Sequence, residues 1–512
     1  MKLAKSLLLG STAGLFALGG AVQAADLPVK AKAIEYIKIC SLYGPGFYYI
    51  PGTDTCLKLG GYTRGWYTFN NNGMGINPDY GAGGAGNRFA NSYTWRAREL
   101  IDIDTRTATE YGTVRTFAEL VFNWTSGTYN GLGNGSTVYQ SIGGVSAPNN
   151  ANPGAVAGGT VGVWFAFIQF AGFTMGEAIS QFSTPWGEYP GNYTELPGSS
   201  SWQPVNQFSY TADFGQGVTL SVSAQDQVAS TQGGLWNVSV ASAGGIAAGV
   251  YGGNNYAGTA APDFIASLRV DQAWGLFQAS VAAHDNHAAY YGGTELTGHP
   301  DDKWGWAGQL ALSIKNIPTG PGDSVNITGV YANGAGRYVF NQDMVSNFAR
   351  YGKATLAGAY QSVGIAGLSD SVFVAGSEQE LTTAYGFNGA FNHNWDPHWT
   401  TSIFGGVGVV RYNNTAKGYI CGAFVANLAL SSGLGGCNPN FDYAIVGTKT
   451  AWTPVKGLTF GVELDYSRIH QNFADGSTVM LPVQAGIGKP AAVYQLRNQD
   501  SFELQIIAQR NF

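Results

Sequence analysis

The stretch that decides the fold is the last one, Ser501–Phe512, which reads SFELQIIAQRNF. Apolar side chains stand at every second position and polar ones alternate with them. The apolar set is Phe502, Leu504, Ile506 and Ala508, and the polar set is Ser501, Glu503, Gln505 and Gln509. Because successive side chains of a strand point to opposite faces, this period of two predicts a β-strand between an apolar and a polar environment. A half-buried sandwich strand would alternate in the same way, so this pattern alone leaves both architectures open.

The first residues indicate export. Lys2 and Lys5 precede an uncharged apolar run, residues 7–21, that ends in small residues. This is the pattern of a secretory signal peptide, and we expect cleavage after Ala24. A membrane anchor is the less favoured alternative because the run is shorter than the roughly 20 residues that a spanning helix needs.

The composition is unusual for a water-soluble protein of 512 residues. Charged residues make up 11%, aromatic residues 13%, and the chain has 74 glycines, whereas an ordinary globular domain carries about 25% charge. Few charges with many aromatic and small polar residues suit a membrane β-barrel, which has an apolar outer band, aromatic girdles and a polar interior. A soluble β-solenoid, an adhesin or a large sandwich is the alternative. A net charge of -6 argues against nucleic acid as a partner.

Alternating patterns recur along the chain and predict sixteen strands. The predicted strands are 57–69, 93–106, 113–124, 161–170, 173–181, 206–214, 218–227, 263–271, 274–284, 303–315, 324–333, 380–393, 399–412, 441–452, 458–470 and the last one. The tight connections between them include 214–217, 272–275, 394–398 and 454–457. Longer connections rich in Gly, Asn and Ser alternate with the tight ones. Short periplasmic turns and long outer loops are the topology of bacterial outer-membrane barrels.

The second and third predicted strands form a hairpin. Most of its charged residues lie at alternate positions, so that their side chains point to the same face. They are Arg96, Arg98, Asp102, Asp104 and Arg106 on one arm, and Arg115 and Glu119 on the other. An arginine that faces lipid at the midplane costs about 2 to 4 kcal/mol, so we expect these side chains to point into a wet lumen. Glu99 breaks the parity, which predicts a bulge or a shifted register near it. We therefore predict an all-β, antiparallel transmembrane barrel over residues 54–512, preceded by a lead-in at 25–53.

The four cysteines form two pairs, and the members of each pair are sixteen residues apart. In an exported chain this even count predicts two local disulfides, Cys40 to Cys56 and Cys421 to Cys437. Four free thiols are the alternative.

Three motifs resemble the alphaproteobacterial porin family. They are KICSLYGPGFYYIPGTDTCLKLGG at 38–61, RTATEYGTVRTF at 106–117 and IQFAGFTMG at 168–176. The terminal Phe512 also resembles the C-terminal assembly signal of outer-membrane barrels, although Arg510 stands where that signal usually has an apolar residue. The resemblance implies a homotrimeric general porin of the Gram-negative outer membrane, with sixteen strands and a third outer loop that folds into the lumen.

By this strand count the constriction loop is 182–205, which contains Glu188 and Glu195. The loop motif of enterobacterial general porins is absent from it. We expect these acids to face arginines of the early strands across the pore, so that the field between them sorts solutes by charge. The expected arginines are Arg64, Arg96, Arg98 and Arg115. In the alternative, the arginines pair with lumenal acids as structural bridges.

The expected function is passive diffusion of small hydrophilic solutes and ions through a water-filled pore, without catalysis, cofactor or metal. GAGGAG at 81–86 satisfies a dinucleotide fingerprint but opens no apolar helix. The histidine pairs 284/287 and 393/398 lack further metal ligands nearby in the sequence. Besides solutes, the expected partners are outer-membrane lipids, lipopolysaccharide and the barrel-assembly machinery.

Two other functions stay open at this point. A substrate-specific channel, for a sugar for example, could use Tyr62, Trp66 and Trp186 as a stacking track, and an adhesin is the more distant alternative. The sequence leaves charge selectivity open, because an excess of acids favours cation passage only where those acids line the pore.

Overall fold

The computed structural model describes residues 38–69, 84–88, 92–125, 160–200, 204–227, 231–254, 256–341 and 347–512. Within these ranges sixteen antiparallel strands close into a barrel, and the predicted architecture is confirmed. The strands are β1 Cys56–Phe69, β2 Tyr93–Thr109, β3 Gly112–Thr125, β4 Thr160–Phe170, β5 Phe173–Ile179, β6 Pro204–Asp213, β7 Val218–Gln225, β8 Asp263–Gln272, β9 Gly275–Asn286, β10 Lys303–Lys315, β11 Ser324–Asn333, β12 Thr383–Asn394, β13 Trp399–Arg411, β14 Phe441–Val455, β15 Leu458–Gln471 and β16 Gln499–Asn511. Closure is made by β16, which pairs with β15 on one side and β1 on the other.

Burial along the strands is inverted relative to a water-soluble protein. On β15 the polar residues Glu463 and Asp465 are 0% and 1% exposed, whereas Val462 and Leu464 beside them are 48% and 49% exposed. Aromatic side chains gather near both rims of the outer surface, such as Trp399 stacked on Trp452 at 5.8 Å. Since the outer surface is apolar and the lumen polar, the wall suits hydrocarbon outside and water inside.

The bulge or register shift predicted near Glu99 is wrong. Both neighbouring strands pair with β2 without interruption across this residue. The Glu99 carboxylate lies on the outer face of the wall, where it accepts a hydrogen bond from the Thr63 hydroxyl. The register shift occurs instead between β3 and β4, next to Glu119. Glu99 therefore breaks the inward parity of the other charges because it faces outward, not because the strand is irregular.

Short and long connections lie at opposite ends of the barrel, as predicted. The short ones are 110–111, 171–172, 214–217, 273–274, 316–323, 395–398 and 456–457. The chain enters β1 and leaves β16 at this short-turn end. The turn 214–217 needs Gly217, whose φ is +74° and where a Cβ would lie 1.9 Å from the carbonyl oxygen of Asp271.

The described parts of four long connections fold together into a lid at the other end. These connections are 226–262, 334–382, 412–440 and 472–498. One four-stranded sheet of the lid comprises Gly234–Asn237, Gly253–Asn254, Ser369–Phe373 and Glu380–Leu381, and the other comprises Asn347–Gly352, Gln361–Gly367, Thr478–Leu481 and Ala492–Leu496. Two α-helices, α1 (Ala243–Ala247) and α2 (Asn414–Leu428), belong to the lid. Its apolar core, which includes Trp236 and Phe424, continues onto lumenal residues of the wall such as Ile469.

Single 3-10 turns complete the described elements. They are Ser41–Tyr43, Val238–Val240, Glu295–Thr297, Gly336–Tyr338, Leu434–Gly436 and Ala485–Ile487. No helix in the described ranges combines the length and the apolar character needed to cross a membrane.

The segment before β1 lies against the lumenal side of the short-turn end. Its strand Tyr48–Tyr49 pairs with the start of β1, and the Arg106 guanidinium lies 4.9 Å from the centre of the Phe47 ring. The predicted signal peptide, residues 1–24, and the lead-in up to residue 37 lie outside the described residues.

Both predicted disulfides are present. Cys40 is bonded to Cys56 beside the short-turn end, and Cys421 of α2 is bonded to Cys437 in the lid. In a loop-entropy model, closing about fifteen residues stabilises by about 3 kcal/mol.

Replacing Cys421 and Cys437 together with serine should loosen the lid around α2. We expect limited proteolysis of the folded barrel to cut residues 412–440 faster than in the parent protein, because the unbridged segment opens more often. The matched control replaces Cys40 and Cys56 with serine at the opposite end, and it should leave cleavage in the lid unchanged. Equal cleavage in all three proteins would contradict a stabilising role of the lid disulfide.

Candidate functional site

The connection between β5 and β6 turns into the barrel and crosses the lumen; its described residues, 180–200, are called the inner loop below. At its start, the side-chain amides of Gln278 on β9 and Gln309 on β10 donate to the Phe182 carbonyl at 3.1 and 2.8 Å. Further along, the Trp186 indole donates to the Thr328 hydroxyl at 2.8 Å. These wall residues are buried and face the lumen, so the loop lies inside the barrel against its wall.

The tip of the inner loop is fixed to a carboxylate of the opposite wall. The backbone N–H groups of Tyr193 and Thr194 donate to the two oxygens of Glu463 at 2.5 and 2.7 Å. The Thr194 hydroxyl donates to Asp465 at 2.7 Å and accepts from the Gln505 amide at 2.5 Å. Hydrogen bonds to a carboxylate are stronger than those between neutral groups, so β15 and β16 hold the tip firmly.

Glycines let the inner loop approach the wall closely. At Gly198, whose φ is +90°, a Cβ would lie 2.4 Å from the backbone of Phe387 on β12. At Gly461 on β15, a Cβ would lie 2.3 Å from the Tyr193 hydroxyl. Because a side chain at either position would push the loop away from the wall, these glycines help to set the width of the passage.

The inner loop buries its acids and presents aromatic rings. Glu188 and Glu195 are each 1% exposed, and the Tyr189 hydroxyl donates to Glu195 at 3.4 Å. The partly exposed side chains include Trp186, Tyr189 and Tyr193. Burial, aided by the Glu463 carboxylate, raises the pKa of Tyr193 to about 12, so this phenol stays neutral near pH 7.

The wall formed by β1 and β2 carries three of the expected arginines. Arg64 and Arg98 occupy directly opposed positions, and Arg96 is opposed to Trp66. The Arg64 Nε donates to the Gln509 amide oxygen at 2.7 Å, and its guanidinium stacks 4.5 Å from the Tyr62 ring centre. Arg64 also interacts electrostatically with the phenol groups of the inner loop. The structure thus brings this arginine face and the aromatic face of the loop together.

Arg115, the fourth expected arginine, belongs to a separate group near the short-turn end. It lies 3.1 Å from Asp104, which also pairs with Arg106 at 2.9 Å. This arrangement corresponds to the structural bridge considered as an alternative from the sequence.

A buried polar cluster at the junction of wall and lid was not predicted from the sequence. His284 on β9 lies with Nδ1 2.8 Å from Asp263 on β8 and with Nε2 3.6 Å from Asp370 of the lid. All three side chains are 0% exposed. The residues are far apart along the chain, so spacing gave no signal for this cluster. In the described ranges no group of three or more His, Cys, Asp or Glu side chains has a metal-binding arrangement.

The closed β-barrel, its polar interior with an apolar outer face, and the inner loop together define the fold as that of an outer-membrane channel. A family described as "Porin subfamily" matches residues 26–504. The chain belongs to this porin family, whose members are channel proteins of the outer membrane, and the expected family and location are confirmed.

Two curated relatives and one solved structure are similar to the chain. Porin Omp2b of Brucella suis biovar 1 (strain 1330) is 33% identical over 260 residues, which are 50% of this chain and 62% of the relative. Porin Omp2a of Brucella ovis is 33% identical over 227 residues, 43% of this chain and 59% of the relative. The matched part therefore spans less than two thirds of either relative. The outer membrane channel DcaP of Acinetobacter baumannii has the same fold, with a TM-score of 0.57 at 14% identity over 91% of this chain and 99% of that one.

Proposed function

We propose that this protein forms a water-filled channel through which small hydrophilic solutes and ions diffuse passively across the outer membrane. The observation that carries the proposal is a closed barrel with a polar lumen, narrowed by a loop fixed at both its start and its tip. A passage of this kind sorts solutes by size and charge and needs no catalytic group.

Within this channel we assign the constriction to the inner loop and the wall opposite it. Arg64, Arg96 and Arg98 line its charged side, and Arg115 lies on the approach from the short-turn end. Glu188 and Glu195 act from inside the loop, where their burial supports a role in shaping its backbone.

The test is single-channel recording with the detergent-purified outer-membrane protein in planar bilayers. We expect discrete, long-lived open steps whose size rises with salt concentration, as for ions in a wide aqueous pore. Liposome swelling with neutral sugars of increasing size would give the exclusion limit. A folded barrel, shown by its β-sheet circular dichroism, that neither conducts ions nor passes sugars would overturn the proposal.

A substrate-specific channel is the second candidate, favoured by the partly exposed rings of Trp186, Tyr189 and Tyr193 on the inner loop, of which Tyr189 and Tyr193 interact with Arg64. Aromatic faces stack on sugar rings and could guide one class of solute. Such a channel would show sugar uptake that saturates with concentration, whereas simple diffusion predicts uptake that falls smoothly with solute size.

We also propose that the protein assembles as a homotrimer, the state implied by its resemblance to porins, through the wall of β16 and β1–β4. At mid-height the outer face there carries, beside Ile101 and Ile103, a group of small or polar side chains: Gly61, Thr63, Gly65, Ala97, Glu99, Ala118, Ala166 and Ala508. Elsewhere the outer face carries large apolar ones: Phe208, Val222, Leu268, Val281, Leu310, Ile327, Phe387 and Ile403. A smooth face lets two walls approach closely, and the Glu99 carboxylate fits a protein contact better than hydrocarbon.

Replacing Ala97 with tryptophan should therefore weaken the trimer. The indole would hold neighbouring walls apart, at a cost of about 1 to 3 kcal/mol per contact. Size-exclusion chromatography with light scattering in detergent should show monomers at concentrations where the parent is trimeric. Leu310→Trp on the opposite, large-residue face is the matched control and should leave the mass unchanged. Dissociation by the control variant alone would place the interface elsewhere.

A further inference from the structure

We infer that residues 336–341 of the lid, called the strap below, position the inner loop and couple the width of the constriction to the packing of the lid. This connection rests on the proposed channel function and adds a means of regulating the same passage from its long-loop mouth. The strap and the inner loop are far apart along the chain. Their contact is therefore visible only in the folded structure.

The strap follows β11 and is packed as part of the lid. The exposed fraction is at most 1% for three successive side chains, Tyr338, Val339 and Phe340. At the start of the strap, the Gly336 N–H donates to the Asp370 carboxylate of the lid at 2.6 Å. A Cβ at Gly336 would lie 2.7 Å from the Leu368 side chain. The lid therefore holds the strap by a hydrogen bond to a carboxylate and by close packing.

The strap contacts the end of the inner loop through the backbone. The Gly198 N–H donates to the Val339 carbonyl at 2.8 Å, and Ser199 and Phe340 form a parallel bridge. These two contacts are consecutive, so they align the two backbones as in neighbouring strands. The Ser199 hydroxyl also accepts from the side-chain amide of Asn388 on β12 at 2.8 Å. The end of the inner loop is thus bound to both the strap and the barrel wall.

An aromatic contact joins the strap to the start of the inner loop. The centres of the Tyr338 and Phe182 rings are 4.6 Å apart. The Phe182 carbonyl is the group that accepts from Gln278 and Gln309 of the wall. The Tyr338 hydroxyl donates to Asp263 on β8 at 2.6 Å. Tyr338 therefore packs against the anchored start of the loop while its hydroxyl is fixed to the wall.

Two glycines of β13 leave room for the inner loop and the strap side by side. A Cβ at Gly406 would lie 2.6 Å from the carbonyl oxygen of Pro197 in the inner loop. A Cβ at Gly408 would lie 2.5 Å from the tip of the Phe340 ring in the strap. Side chains two residues apart on a strand point to the same face, so loop and strap occupy adjoining places on β13. A shift of either one away from this strand opens a void beside the other.

One apolar core contains parts of the inner loop, the strap and the lid. Its members include Phe182 and Leu196 of the inner loop, Phe340 of the strap, and Trp236 and Phe424 of the lid. Close-packed cores change between discrete packings and do not deform continuously, so a displacement at one end reaches the other. A folded lid keeps the strap against the inner loop and the passage narrow. A lid that opens withdraws the strap and lets the loop leave the wall.

The variant Phe340→Ala tests the strap with two readouts on the detergent-purified protein. Hydrogen–deuterium exchange followed by mass spectrometry should become at least about tenfold faster in the inner loop as well as in the strap, because the missing ring leaves a cavity between them. Single-channel recordings should show a fluctuating open level with a higher mean conductance. Leu368→Ala disturbs the strap from the lid side, at its contact with Gly336, and should also speed exchange in the inner loop.

Phe424→Ala is the matched control. Phe424 is 0% exposed and belongs to the same core, but its ring contacts are with Tyr251 and Phe473 of the lid, each at 5.2 Å between ring centres. This variant should speed exchange around α2 and leave exchange in the inner loop and the open level as in the parent. If Phe340→Ala lacks the β-sheet circular dichroism of a folded barrel, Phe340→Leu takes its place and should give the same pattern with a smaller increase.

The outcomes separate the strap from the channel function itself. Parent rates of exchange in the inner loop of the folded Phe340 variant, with a steady parent open level, would overturn the positioning role of the strap. Parent rates in the inner loop of Leu368→Ala would overturn its coupling to the lid. Equal effects of Phe340→Ala and Phe424→Ala on the inner loop would assign the effect to the lid as a whole and overturn the special place of the strap. A parent barrel without conductance would overturn the channel function, while the exchange rates would still decide whether strap and loop are coupled.

Discussion

Replacing Glu463 with alanine should release the tip of the inner loop and change the pore more than any other single substitution in the lumen. The variant loses both carboxylate acceptors of the Tyr193 and Thr194 N–H groups, and each hydrogen bond to a charged group contributes about 1.5 to 3 kcal/mol. We expect single-channel recordings to show a higher mean conductance and rapid fluctuation of the open level, because the loop then samples positions away from β15.

Two variants show whether this effect comes from the anchor. Glu463→Gln keeps one oxygen acceptor at the same place and should lie between alanine and the parent. Glu177→Gln, a partly buried carboxyl on β5 for which the structure shows no contact with the loop tip, is the matched control for charge and should conduct steadily. An unchanged, quiet open level in Glu463→Ala would mean that the remaining contacts of Thr194 with Asp465 and Gln505 suffice to hold the loop.

The strands could be predicted because their signal is local. Each strand alternates with a period of two, and the tight turns between them are short enough to recognise, so all sixteen were placed to within a few residues. The two disulfides were also predictable, since each joins cysteines only sixteen residues apart. The prediction at Glu99 was wrong because alternation alone cannot distinguish an irregular strand from a charged side chain that faces outward. The outward-facing Glu99 carboxylate accepts a hydrogen bond from the Thr63 hydroxyl.

The site was only partly predictable because its contacts are long-range. The sequence predicted the inner loop and offered arginines of the early strands as constriction residues, but it could not show that Glu188 and Glu195 are buried, or that Glu463, some 270 residues further on, holds the loop tip. Arg115 and Arg64 look alike in the sequence, and only the pairing with Asp104 separates their roles. The lid was missed as a folded unit because its core is assembled from four separate connections.

Replacing His284 with alanine should weaken the attachment of the lid to the barrel wall. The imidazole stands between Asp263 of the wall and Asp370 of the lid, and all three side chains are fully buried. Asp263 also accepts the Tyr338 hydroxyl at 2.6 Å, and Asp370 accepts the Gly336 N–H at 2.6 Å, so both carboxylates connect to lid backbone or side chains. Removing one partner of a buried ionic group costs about 3 to 5 kcal/mol because the remaining charges are left uncompensated.

The expected result is faster proteolysis of the lid connections with the barrel itself intact, together with a larger and noisier conductance if the lid restricts the long-loop mouth. His393→Ala is the matched control: its Nδ1 lies 2.7 Å from Asp323, but the side chain is 23% exposed and far from the lid, near the short turns. Adding Asp370→Asn to His284→Ala removes one of the two carboxylates that lose the imidazole as a partner. The double variant should therefore regain part of the lid's resistance to proteolysis. Non-additive recovery in this pair would show that the charges of His284 and Asp370 act together, whereas equal lid cleavage in His284→Ala and His393→Ala would show that the lid is held by its apolar core alone.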